Sequence, residues 1–297
     1  MSRSILLVTH TGRPDAVKVA VDVVAGLTGA GLTVRVPAAE ADAFAADSVE
    51  PVVGPTPAAG CELVVVVGGD GTLLRAAELA RGSSVAVLGI NLGHVGFLAE
   101  AEADDLATVI NRVVDRDYAV EERTAVDVSV WRGDTQVVSD WALNEASVEK
   151  AERERMIEVV VGVDASPLSR WGCDGVVCAT PTGSTAYAWS AGGPVVWPDV
   201  AALLLVPLSA HALFARPMVV APDSVIGVDL VGAAAGVLWC DGRRTHPLTP
   251  GDRIEVRVSP QAVRLARLHT APFTDRLVAK FDLPVEGWRA GRRDTGR

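Results

Sequence analysis

The chain has 297 residues, a formal net charge of −10 at pH 7, 49% apolar residues and 5% aromatic ones. That length fits one large or two ordinary domains, and a core of small aliphatic side chains suits an α/β or β-rich fold. The acidic balance excludes bulk nucleic-acid binding, which needs a basic face, and no apolar run is long enough to span a bilayer.

Met1-Ser2-Arg3-Ser4 leads directly into Ile5-Leu6-Leu7-Val8. The N-terminus therefore reads as a strand over 5–9 and not as a signal peptide, and a cytoplasmic protein is expected. Pro14 opens a helix with Val17, Ala20, Val21 and Val24 at helical spacing, ended by Gly29 and Gly31. A strand over 32–36 follows, then a loop holding Pro51, Pro55 and Pro57, then a strand over 63–67. Helix 72–80, strand 85–90 and helix 104–114 continue the alternation. Apolar strands separated by helices indicate a parallel sheet covered on both faces.

Near Glu121 the pattern changes to period two, as in Val126-Asp127-Val128-Ser129-Val130, with a turn at Arg132-Gly133-Asp134. Strands are predicted around 136–138, 157–161, 176–179, 203–206, 225–230, 237–240, 254–258 and 263–268. Short strands between Gly, Pro and Asp turns predict a β-sandwich, interrupted by one short helix over 184–190. The tail returns to helix over 273–281 and ends in Arg-rich coil. The expected fold is α/β plus all-β: a Rossmann-like parallel-sheet domain over 1–120, completed by a C-terminal helix within 271–297, and a β-sandwich over 121–270. Cys61, Cys173, Cys178 and Cys240 form no C-x-x-C pair, and no His lies at zinc-finger spacing. They read as buried thiols in a reducing compartment.

Chemistry concentrates in a few stretches. Gly68-Gly69-Asp70-Gly71-Thr72 follows the apolar run 63–67, so a strand stops, turns on glycines and opens a helix. Such a turn aims backbone N–H groups and the positive end of a helix dipole at an anion. Asp70 in that anion site is electrostatically wrong unless it meets a metal or takes a proton, which points to phosphoryl transfer. The plain alternative is a tight turn in which Asp70 or Thr72 caps the helix. The stretch is neither G-x-G-x-x-G nor G-x-x-x-x-G-K-[ST]. Arg75, in the first helical turn, reads as a phosphate ligand or as part of a solvated face. Asn91-Leu92-Gly93-His94-Val95-Gly96-Phe97-Leu98 suggests backbone close to a ligand at the carboxyl end of a parallel sheet, with His94 a minor candidate.

Asn144-Glu145, inside Trp141-Ala142-Leu143-Asn144-Glu145-Ala146, suits vicinal sugar hydroxyls, since an amide and a carboxylate together donate and accept. An ordinary polar strand end reads equally well. Thr180-Pro181-Thr182-Gly183-Ser184-Thr185-Ala186-Tyr187 is a hydroxyl-rich turn that opens a helix, with an elaborate cap as the alternative. Asp174-Gly175 precedes it, and Ala191-Gly192-Gly193-Pro194 follows with room for close backbone approach. No Ser-His-Asp arrangement or G-x-S-x-G elbow is present.

Together these motifs, with Cys173-Asp174-Gly175 and Cys240-Asp241-Gly242, resemble the NAD kinase family, in the family's order and over most of the chain. The chain is most similar to the actinobacterial branch. The Gly-Gly-Asp-Gly-Thr loop alone is shared with diacylglycerol-type lipid kinases and phosphofructokinases. The long Thr-Pro-Thr-Gly-Ser-Thr-Ala-Tyr run selects NAD kinase. The resemblance implies a two-domain homodimer or homotetramer with ATP and part of NAD between the α/β domain and an NAD-binding β-sandwich. It implies transfer of a phosphoryl group from ATP, or from inorganic polyphosphate, to the 2′-hydroxyl of NAD's adenosine ribose to give NADP, with Mg²⁺ or another divalent ion. No nucleic-acid or membrane partner is implied, and no residue is assigned as a metal ligand. By carry-over, Asp70 is the proton acceptor, and Asn144 and Glu145 hold ribose hydroxyls and the adenine end. Asp174, Thr182, Thr185, Ala186, Tyr187 and Ser190 line the dinucleotide site. Gly69, Gly71, Thr72 and Phe97 belong to the nucleotide site, with Arg75 and Arg155 near phosphates or nicotinamide. Gly172 stands where many members carry Arg, and Ala210 replaces a frequent Pro. The rival expectations are a lipid kinase of the diacylglycerol type, which needs an apolar acceptor groove, and a catalytically silent dinucleotide sensor.

Overall fold

A computed structural model describes residues 3–92, 96–98, 105–268 and 272–285, and the backbone of 101–102. The chain divides into two compact units, one running to Glu122 and resuming at Arg264, the other Arg123–Val263.

The first unit is built on strands β1 (Ser4–Thr9), β2 (Thr33–Pro37), β3 (Glu50–Val52), β4 (Leu63–Val67), β5 (Ala86–Asn91), β6 (Ala101–Glu102) and β7 (Ala119–Arg123). With them runs a strand from near the other end of the chain, β20 (Val263–Arg267). The sheet order is β3-β2-β1-β4-β5-β20-β7, with β6 beside β5. The neighbouring pairs from β3 through β20 are parallel. Helices α1 (Pro14–Gly29) and α3 (Leu106–Asp115) share a core with Ile5, Leu7, Leu63, Val65 and Val67. The alternate residues Leu6, Val8, Val64 and Val66 point to the opposite face, and helix α2 (Asp70–Ala80) packs on β1, β4 and β5. The proline-bearing loop before β4 contains β3, an edge strand, where Pro51 is tolerated.

The strand predicted over 263–268 does not join the β-sandwich. Leu265 pairs with Val87 of β5, and Ala266 and Leu268 enter the core of the first unit. An apolar strand fits the centre of a parallel sheet as readily as a sandwich, so its pattern does not name its partner. The chain then forms helix α5 (Phe273–Phe281); residues 286–297 lie outside the described residues.

The second unit has two antiparallel six-stranded sheets. One has the order β15 (Met218–Val220), β14 (Leu203–Leu208), β13 (Gly175–Ala179), β10 (Glu145–Lys150), β17 (Gly236–Cys240) and β18 (Arg244–Leu248). The other runs β12 (Ser166–Cys173), β11 (Ile157–Val163), β16 (Ile226–Leu230), β19 (Asp252–Val258), β8 (Val126–Arg132) and β9 (Thr135–Ala142). Their inner faces share one core that includes Val128, Val148, Trp171, Val176, Leu205 and Ile254, which is a sandwich. Strands β10, β12, β15 and β18 were not expected from sequence. In β10, Glu145, Ser147 and Glu149 break the apolar signal although Ala146 and Val148 are buried. The short helix α4 (Tyr187–Ser190) packs on the outer face of the first of these sheets, where Ala188 meets Val177, Ala179, Leu204 and Val206.

Candidate active site

In the first unit, the order 3-2-1-4-5 makes β1 and β4 the pair from which connections depart in opposite directions. Their carboxyl ends open the crevice in which such sheets bind ligands. The Gly68–Thr72 turn sits there. Gly68 has φ +154, and a Cβ on it would lie 2.6 Å from Thr72 Oγ1, so no other residue fits without movement. Its N–H donates to Ile90 O at 3.1 Å. Helix α2 then begins at Asp70; the Thr72 N–H already donates to Gly69 O at 2.9 Å, and the N–H groups of Asp70 and Gly71 precede the first intrahelical bond.

Asp70 does not cap this helix. Its carboxylate accepts the N–H groups of Phe97 at 3.1 Å and Leu98 at 3.2 Å. A Cβ on Gly96 would lie 2.5 Å from Asp70 Oδ1, so the carboxylate rests directly on that backbone. A carboxylate offers about four acceptor positions, and the two used here leave others open. Gly69 and Gly71 are exposed and Thr72 is buried.

Two of the expected site residues have protein partners in this unit. Arg75 is half-buried. Its Nη2 donates to Thr9 O at 2.8 Å and pairs with Glu40 Oε1 at 2.6 Å. Glu40 is 2% exposed and accepts the Thr9 N–H at 2.6 Å. Burial pushes the Glu40 carboxyl up, against the Thr9 N–H and Arg75. Arg75 thus fixes the end of β1, and no motif in the chain pointed to Glu40. The Phe97 ring packs against Phe273 and Phe281, with centroids 6.0 and 5.7 Å away. His94, with Gly93 and Val95, lies outside the described residues.

In the second unit, Asn144 and Glu145 stand at the start of β10, buried. The Asp241 carboxylate, buried, accepts the N–H groups of Leu143 at 3.0 Å and Asn144 at 2.7 Å, and the Asp241 N–H donates to Glu145 O at 2.9 Å. Thr180 joins the same knot: its N–H donates to Asn144 O at 2.9 Å and its hydroxyl to Leu143 O at 2.6 Å. Gly183 packs so closely that a Cβ on it would lie 2.0 Å from Asn144 O. Glu145 Oε2 is buried with no hydrogen-bond partner among the described residues. Burial, then the charges of Asp241 and Glu149, push the Glu145 carboxyl up to about 8, against a hydrogen bond from the Tyr187 backbone. At neutral pH this is a carboxylic acid able both to donate and to accept.

Glu145, Ser147 and Glu149 share the face of β10 opposite the core residues Ala146 and Val148. Tyr187 lies along that strip, its hydroxyl bonded to Glu149 and pushed up mainly by burial. Ser147 Oγ donates to Glu149 Oε1 at 2.6 Å. Asp174 lies at the other end of the β10–β13 pair, roughly 17 Å from Glu145 at the usual strand rise. The Lys150 ammonium, 2.5 Å away, holds Asp174 below the usual carboxylate range. Thr182 is buried, Thr185 Oγ1 donates to Thr182 O at 3.4 Å, and Ala186 is half-buried beside it. Exposed Ser190 donates to Tyr187 O at 2.9 Å. Ser184 is structural, its hydroxyl bridging the N–H and C=O of Val196. Arg155 lies in the exposed loop 151–156, away from the knot that Asn144 and Glu145 share with Asp241 and Thr180. Asp241, whose hydrogen bonds hold the Asn144-Glu145 segment, was not singled out by residue-level reading; its only signal was the Cys240-Asp241-Gly242 run. Arg244 and His246 in turn bracket Asp140, at 2.9 and 2.7 Å, beside Asp241.

Among the described residues, no helix is long and apolar enough to cross a membrane. A family model described as ATP-NAD kinase N-terminal domain matches residues 5–118, and one described as ATP-NAD kinase C-terminal domain matches 143–268. A NAD kinase from Thermobifida fusca is 59% identical over 310 residues, covering 99% of this chain and 94% of the relative. NAD kinase 2 of Streptomyces coelicolor is 61% identical over 291 residues, covering 97% of each. Among solved structures, yeast NADH kinase complexed with NADH superposes with a TM-score of 0.85 at 22% identity, covering 100% of this chain and 89% of that one. An NAD kinase from Archaeoglobus fulgidus in complex with ATP gives 0.71 at 26% identity, covering 95% and 99%. With both family models matched and near-full-length relatives at about 60% identity, the chain belongs to the NAD kinase family, kinases that phosphorylate NAD.

Proposed function

We propose that this enzyme transfers the terminal phosphoryl group of ATP to the 2′-hydroxyl of NAD's adenosine ribose, with Asp70 as proton acceptor. The hydroxyl oxygen bonds to the γ-phosphorus, the bond to the bridging oxygen breaks and ADP leaves, while the hydroxyl proton passes to an Asp70 oxygen. Such a transfer needs positioning and charge neutralisation more than covalent help from the protein. The observation that carries this reading is the Asp70 carboxylate, fixed by two backbone N–H groups at a glycine turn that opens helix α2. Gly69 and Gly71 would bring backbone amides to phosphate oxygens, and Thr72 would hold the turn through its N–H on Gly69 O.

Asn144 and protonated Glu145 would hold the ribose hydroxyls, supported by the orphaned Glu145 Oε2. Asp174, Thr182, Thr185, Ala186, Tyr187 and Ser190 would line the rest of the dinucleotide, and exposed Arg155 would reach a phosphate. Phe97 would contribute through its backbone, and Arg75 by holding the end of β1. ATP as donor is supported by the archaeal neighbour, which was solved in complex with ATP; polyphosphate is the alternative. No cluster of three or more His, Cys, Asp or Glu among the described residues could hold a metal. A divalent ion held mainly by phosphate oxygens would neutralise charge that this acidic chain cannot. Self-association as a dimer or tetramer and a cytoplasmic location complete the proposal.

The test is a product assay: purified protein, NAD, Mg²⁺ and either ATP or polyphosphate, with NADP read by an NADP-specific dehydrogenase. NADP formed with ATP supports the reading and names the donor. NADP formed with polyphosphate alone would replace the donor, and no NADP from folded, NAD-binding protein would overturn the reaction.

A further inference from the structure

The backbone that holds Asp70 is itself held from the far end of the chain. The peptide joining Phe97 and Leu98 offers its N–H to Asp70 Oδ1 at 3.2 Å. The carbonyl of the same peptide, Phe97 O, accepts Arg276 Nη1 of α5 at 3.1 Å. A cation on the carbonyl polarises the peptide and strengthens its N–H as a donor. The next carbonyl, Leu98 O, accepts Nη1 of Arg267 at 3.0 Å. Arg267, at the end of β20, is 3% exposed and also pairs with Glu121 at 3.0 Å. The Phe97 ring packs against Phe273 and Phe281, which flank Arg276 on α5. Gly96 gives the strip no side chain to stand off the carboxylate.

We propose that Arg276 is a positioning residue for phosphoryl transfer, acting on Asp70 through the Phe97–Leu98 peptide, with Arg267 anchoring the following carbonyl. The inference rests on the reading of Asp70 as proton acceptor. It gives the return of β20 and α5 to the first unit a catalytic purpose: the C-terminal segment grips the strip on which the base lies. Neither arginine touches the reacting atoms, so the effect falls on kcat.

The test is a double-mutant cycle in the full-length enzyme. Arg276→Met is expected to lower kcat about 10- to 100-fold, the usual result of a misplaced catalytic group, with KM for NAD and ATP within about twofold of wild type. Arg276→Lys keeps a cationic donor and is expected to recover most of the rate. In an Asp70→Asn background, Arg276→Met should cost nothing further, because the group it positions is already gone. An equal loss in both backgrounds, or an unchanged kcat in Arg276→Met, would overturn the proposal while leaving Asp70 as base. Near-normal turnover of Asp70→Asn alone would instead overturn the reading beneath it. Should Arg276→Met fail to fold, Arg276→Gln takes its place in the cycle.

Discussion

Glu145→Gln should stabilise the nucleotide-free protein at alkaline pH while impairing it as an enzyme. The Glu145 carboxyl is raised from 4.5 to about 8 by burial and by the charges of Asp241 and Glu149. Below about pH 4.5 it is protonated in both folded and unfolded chains and costs nothing. As pH rises the unfolded chain ionises first, so stability falls until the folded group ionises near pH 8. The full shift corresponds to roughly 5 kcal/mol at about 1.4 kcal/mol per unit. Relaxation and water entry around the ionised group reduce the expected cost to about 2–3 kcal/mol at pH 9. Gln has the same shape and no ionisation, so that cost disappears, a gain of about 6–10 °C for a unit of this size. Six of the seven tryptophans, Trp131, Trp141, Trp171, Trp189, Trp197 and Trp239, lie in the second unit, so intrinsic fluorescence follows mainly its melting. Wild type and variant should melt together near pH 4.5 and separate steadily towards pH 9. Parallel curves across that range would refute the argument that Glu145 is buried in its acid form.

The other predictions concern named contacts. Asp70→Asn should retain nucleotide binding and lose about 10²–10⁴ in kcat, the usual worth of a positioned general base; stopped-time NADP assays with NAD titrations check both halves. Gly183→Ala should weaken NAD binding severely, because the added Cβ would lie 2.0 Å from a backbone carbonyl of Asn144 that cannot rotate away; calorimetric NAD affinity equal to wild type would contradict it. Glu62→Gln tests the first unit far from the chemistry. Hydrogen bonds from Arg3, then Arg116, hold that carboxyl down to about 2. Its stabilisation is therefore present above about pH 4.5 and lost as pH falls towards 2. With Arg116 60% exposed, screening leaves about 1–2 kcal/mol, so wild type should outlast the variant in urea at pH 7 and match it near pH 2.

The amino-acid sequence by itself determined the parts that are local. An all-apolar run closed by two glycines can only be a buried strand meeting a tight turn, so β4 and the start of α2 were legible. So were the turn before α4 and the period-two second unit, each of which states its local structure within a few residues.

Tertiary structure alone decided which distant groups meet. The strand β20 carries the same apolar pattern in either unit, and only its place beside β5 shows that the chain returns to the first sheet. Arg75 gave no sign in sequence of the buried Glu40 that folding brings to it across 35 positions. Asp241 supports the N–H groups of Leu143 and Asn144 from the far side of the sandwich sequence, and Arg276 reaches Phe97 from α5. Periodicity records burial and local dihedral preference. A hydrogen bond between residues about a hundred or more positions apart leaves no period in either segment, so its existence is written only in the packed fold.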